Sequence, residues 1–148
     1  MITVLSLAAF VVVSLIALSL VSRSGGTHGL VQGKLQPCKF TQNCVCSEAF
    51  DNKNVEPINT SPMAHDEAWV RLKNAVNATG GSIEESDDHY LWAVYTTPIF
   101  RFKDDFEARL DKEQGVIHLR SASRVGHGDW GANKKRVDLV ISSFKAGG

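Results

Sequence analysis

The first hydrophobic feature of the chain is unbroken: the twenty residues from Ile2 to Val21 (ITVLSLAAFVVVSLIALSLV) contain no charge. A helix of that length spans about 30 Å, the thickness of a bilayer's hydrocarbon core. The pattern therefore predicts a transmembrane anchor over residues 1–22. A cleaved signal peptide is the rival reading. It would place basic residues ahead of a shorter apolar stretch, whereas no Lys or Arg precedes this one and only Ala17 and Ser19 resemble a cleavage site. Residues 23–34 are rich in Gly and Ser, the composition of a flexible linker. From Leu35 to Pro62 three prolines interrupt a stretch of little periodicity, which reads as an extended lead-in.

Periodic order begins after that. Trp69, Leu72 and Val76 recur at i, i+3 and i+7 with Ala68 and Ala75 beside them, the stripe of an amphipathic helix. Ser61 as its cap, Pro62 at its first position and Gly80–Gly81 at its end would bound it. Ser82–Ser86 is a short strand. Tyr90–Thr97 is apolar on both faces and predicts a central strand covered on both sides. Phe106, Ala108 and Leu110 then alternate with polar residues, as do Ile117 and Leu119, across a four-residue connection from Lys112 to Gly115. Facing Leu110 with Ile117 sets Ala108 against Leu119 and Glu107 against Arg120. A one-residue slip would mix the faces. In this register one face is apolar and the other carries Asp105, Glu107, Arg109, His118, Arg120 and Arg124. Val137, Val140, Ile141 and Phe144 mark a last helix that begins near Asn133, after the glycine-rich stretch Gly126–Gly131. The fold class is α+β: a transmembrane helix, then one domain over residues 35–148. That domain has about four antiparallel strands packed against two helices, in the order helix, strands, helix.

Composition changes this picture in two places. Sixteen basic and sixteen acidic residues cancel, which argues against a nucleic-acid partner. The three cysteines crowd into Cys38, Cys44 and Cys46. Cys38 and Cys44 are close enough for a small disulfide loop, with free thiols and a zinc site as the alternatives. C-x5-C-x-C lacks paired zinc knuckles, so no metal or cofactor is assigned. A disulfide needs an oxidising compartment and sets the domain outside the cytoplasm, in a periplasm or its equivalent. Arg23 and Lys34, by the positive-inside rule, pull weakly the other way.

Phe102, Asp104, Asp105 and Glu107, then Arg120, Ser121, Ser123, Arg124 and Gly126, then Asp129, Gly131, Asn133 and Arg136 form a long spaced pattern. With Cys38, Asn43, Cys44, Val45 and Ser47 ahead of it, this pattern resembles the family catalogued as domain of unknown function 1499. Lys39 and Gln42 stand where the family carries prolines, and Cys46 where it carries serine. The resemblance implies an often membrane-anchored, mostly bacterial domain with no established activity, and the expected setting is a bacterial cell envelope.

The polar residues leave three readings. The glycine-rich stretch before a helix, with Lys134, Lys135 and Arg136 in the first turn, suits an anionic or lipidic ligand. Its candidate contacts are Arg120, Ser121, Ser123, Arg124, Gly126, Asp129, Asn133 and Arg136. That site requires a cleft near Gly126–Asn133 with an arginine facing solvent. A structural network is the second reading, with Asp104, Asp105 and Glu107 neutralising Arg120, Arg124 and Arg136. An enzyme is the third, with Asp105, Asp129 and His127 as acid–base groups and Ser121 or Ser123 as nucleophile. It has no nucleophile elbow or metal motif behind it. His65, His89 and His118 read as lone surface histidines, and Trp69, Trp92 and Phe144 as core. The commitment is a membrane-tethered binding or interaction domain. Its partners are the bilayer through residues 2–21 and an anionic or lipidic small ligand or an envelope partner.

Overall fold

A computed structural model describes residues 2–39, 42–48 and 55–147. Helix α1, Ile2–Arg23, holds no acidic residue in its first turn and one basic residue, Arg23, in its last. It is apolar on every side, with Val4, Leu7, Phe10 and Val13 all exposed. Its window Ser6–Arg23 is long and apolar enough to cross a membrane.

Strands β1, Leu30–Val31, and β2, Lys34–Leu35, form a hairpin with Leu30 facing Leu35. Gln32 and Gly33 turn it at φ 53° and 75°, the paired positive values of a type I′ turn that glycine accepts freely. Strand β3, Cys44–Cys46, and strand β4, Ile58–Asn59, follow. Helix α2, His65–Ala78, comes next, then β5, Ser82–Ser86, β6, Tyr90–Thr96, β7, Lys103–Asp111, β8, Val116–Ser123, and helix α3, Ala132–Ala146.

The main sheet is antiparallel in the order β3-β8-β7-β6-β5, with β4 on the same edge of β8 as β3 but at the other end. Glu107 faces Arg120, Ala108 faces Leu119 and Leu110 faces Ile117, the register that alternation demands. One face of the sheet, with Leu91, Ala93, Phe106, Ala108 and Leu119, packs on Leu72 and Val76 of α2 and Val137 and Val140 of α3. These side chains are fully or almost fully buried and make the main core.

Two expectations about the fold are corrected. There are eight strands among the described residues, not about four, and four of them precede α2. The extra ones are two or three residues long, too short to show a period of two. Helix α2 also begins at His65 with Ala64 as its cap, not at Ser61–Pro62. The local bonds take those residues into a turn instead: Ser61 N donates to Asn59 Oδ1 and Met63 N to Thr60 O.

Candidate functional site

Alternation along β7 and β8 sends the polar residues of the family motif to two faces of the sheet. Asp105, Glu107, Arg120 and Arg124 point away from the helices. Asp104, Ser121 and Ser123 point towards α3, where Asn133 and Arg136 meet them.

On the face away from the helices, each guanidinium has its own carboxylate. Arg124 clasps Asp105 through Nε and Nη2, at 2.7 to 3.1 Å. Arg120 Nη1 donates to Glu107 Oε2. The aromatic residues of β6 complete the set: Trp92 Nε1 donates to Asp105 Oδ1 at 2.8 Å, and the Tyr90 hydroxyl to Glu107 Oε1 at 2.8 Å. Burial, then the charge and hydrogen bond of Glu107, push the Tyr90 phenol far above its ordinary pKa. Tyr90 is therefore a permanent donor to that carboxylate.

The segment that leaves α1 lies across this network as a strap. Lys103 N donates to Ser22 Oγ, and Arg124 Nη1 to Ser22 O at 3.2 Å. Thr27 O accepts from Arg120 Nη1 at 2.9 Å. Gly29 N donates to Glu107 Oε1 and to the Tyr90 hydroxyl. His28 stacks on Trp92, ring centroids 3.6 Å apart. A Cβ on Gly26 would overlap the Asp105 carboxylate, so only glycine passes there. Leu30, Leu35, Cys38 and Cys46 pack with Tyr90 and Trp92 into a second small core. Residues 23–34, expected as a free linker, are thus docked on the sheet. Composition alone does not reveal this, because the partners lie about 60 to 100 residues away.

On the helix face the centre is Asn133, fully buried. Its Oδ1 accepts from Ser121 Oγ and Arg136 Nη1, and its Nδ2 donates to Asn43 O, Ser123 Oγ and Asp129 Oδ2. Arg136 Nη2 bonds Asp104 at 2.5 Å, and its guanidinium lies 4.8 Å from the centre of the Tyr95 ring. Asp129 accepts from the backbone N–H groups of Gly131 and Asn133, so its oxygens tie down the start of α3. Asn43 Nδ2 donates to Gly126 O and Asp129 N to Gln42 O, which pins the glycine loop to the lead-in. A disulfide joins Cys38 to Cys44 just beside it.

The anion site built on three arginines is therefore corrected. Their side chains are 4, 7 and 11% exposed, each bound to a carboxylate, and they occupy opposite faces of the sheet. Arg120 Nε is buried without a hydrogen-bond partner. A cavity of about 210 Å³ beside it is lined by Thr27, Arg120 and Arg124, whose charges are already balanced. The acid–base groups do not converge either: Asp105 is under the strap, Asp129 caps α3, and His127 is exposed in the loop. His118, read as a surface residue, is 7% exposed with Nδ1 3.3 Å from Ser47 Oγ.

A cleft does lie at the glycine loop, but its character is apolar. It measures about 320 Å³ and runs between α1 and the domain. Leu15 and Leu18 form one wall, and Phe102, Val125 and Trp130 are among the residues opposite. None of Arg120, Arg124 and Arg136 lines it. Tyr90, Trp92 and His28 were the functional neighbours that sequence alone missed. Registering β6 against β7, which sets Trp92 beside Glu107 and Tyr90 beside Arg109, was the signal available for the first two.

The model of the family described as Protein of unknown function (DUF1499) matches residues 34–144. No curated protein matches the chain.

Proposed function

The chain belongs to the family Protein of unknown function (DUF1499), and from that premise we propose that it is a membrane-tethered domain that binds a lipid acyl chain beside its own anchor. In this reading α1 is an uncleaved single-pass anchor, and the domain faces the periplasm or an equivalent extracytoplasmic space of a bacterial envelope. The Cys38–Cys44 disulfide supports that side of the membrane. The arginine–carboxylate network is the clamp that fixes the strap, and so keeps α1 at one position against the domain.

The observation that carries the proposal is the cleft between α1 and the glycine loop. One wall is the leucines of a helix suited to a bilayer, and the other is Phe102, Val125 and Trp130. An acyl chain is the ligand whose chemistry fits a largely apolar slot open to a bilayer. The polar groups of its lining are Thr97, Asp104, Ser123 and Asp129.

The full chain purified from membranes in mild detergent should retain lipid in a fixed ratio, read by native mass spectrometry. Val125→Trp, which fills the cleft, should lose that lipid. Leu139→Trp, at an exposed site on α3, should keep it. Equal retention by both variants would refute the acyl-chain site.

A further inference from the structure

The same end of the domain carries a second feature, its exposed apolar residues. Trp130 is fully exposed and Ile99 is 84% exposed, more than Val31, Val70 or Leu139, the other large apolar side chains exposed outside α1 among the described residues. Both sit on loops that border the cleft: residues 97–102 contribute Thr97 and Phe102, and residues 124–131 contribute Val125 and Trp130. Each loop also holds a non-glycine residue in the left-handed region, Arg101 at φ 57° and Trp130 itself at φ 55°. The Trp130 turn is held there by Asp129, whose Oδ1 accepts from Gly131 N. The indole on this turn borders the cleft and is left wholly in water.

The position of α1 says what covers it. The cleft sets Trp130 and Phe102 beside Leu18 and Leu15, five and eight residues before Arg23 at the helix end. At 1.5 Å per residue that is about 7.5 to 12 Å along the helix. With Arg23 at the water boundary, the loops lie at the depth where Trp and Tyr collect in membrane proteins. Arg23 and Arg101 are exposed at the same end, placed for lipid phosphates.

We infer that Ile99 and Trp130 seat the domain in the interfacial layer of the bilayer that α1 crosses, as a second membrane contact separate from the anchor. This rests on the anchor reading of α1 given above. The occupant is the lipid surface, and the contact continues the line of the tether.

The test places the full chain in vesicles of phosphatidylcholine brominated near the start of the acyl chains, which quenches nearby indoles. Trp69, buried, and Trp92, half-buried under the strap, are present in every variant, so differences report on the loop positions. Wild type should lose more emission than Trp130→Phe. Ile99 does not line the cleft, so Ile99→Trp in the Trp130→Phe background separates bilayer contact from a lipid held in the cleft. That indole should also be quenched. Quenching at position 130 without quenching at position 99 leaves only a cleft lipid and overturns the seat, as does no quenching at either. Carbonate extraction, run in parallel, should leave the chain in the membrane pellet. Release into the supernatant would overturn the anchor reading and the seat with it.

Discussion

At the scale of single residues, the chemistry is that of charges taken out of water and then satisfied. Glu107 is fully buried and accepts from Arg120, Tyr90 and Gly29. Asp105, 2% exposed, accepts from Arg124 and Trp92. Such pairs add little net stability over an apolar replacement, but removing one partner strands a buried charge. Arg124→Ala should therefore destabilise the domain by about 3–5 kcal/mol, measured by urea denaturation of the full chain in detergent. A loss below about 1 kcal/mol, typical of an exposed pair, would contradict the clamp. The pairing of Glu107 with Arg120 was legible before any coordinates, because alternation on β7 and β8 allowed only one register. The contribution of His28 was not: a lone histidine in a Gly–Ser stretch has no period to place it, and its stacking on Trp92 arises only in three dimensions.

At the scale of elements, long periodic segments were readable and short ones were not. Helices α2 and α3 and strands β7 and β8 follow their apolar stripes, and β6 its unbroken apolar run. Strands β1 to β4 exist because β8 and the strap offer partners, a tertiary cause that two-residue segments cannot announce. The β7–β8 hairpin carries its own titratable lock. Asp111 accepts from Gln114 N at 2.9 Å and from Arg109 Nη2 at 3.0 Å, and first that backbone N–H, then Arg109, hold its carboxyl below the usual value of 3.8. Since the folded value is the lower one, this stabilisation is present above pH 3.8 and is lost as pH falls through the folded value. Asp111→Asn should be less stable than wild type at pH 6, and the gap should narrow as the solution is acidified below 3.8. Thermal melts across that range check it, and a gap independent of pH would exclude the lock.

At the scale of the whole molecule, the sheet has a different job on each face. One face builds the core with α2 and α3, and the other holds the strap that comes from α1. A helix long and apolar enough to cross a membrane was legible from twenty uncharged residues alone. The cleft was expected near the glycine loop, and the structure puts one there, but lined by leucines of α1 instead of by arginines. Sequence could not foresee that wall, since it depends on how α1 leaves the sheet at Ser22. The proposed lipid site and the proposed seat on the bilayer both depend on the strap being held. Hydrogen exchange of the full chain in lipid nanodiscs measures this most directly. The Gly29 amide, bonded to Glu107 and Tyr90, should exchange as slowly as amides of β7. Exchange at the rate of an open Gly–Ser chain would contradict the account.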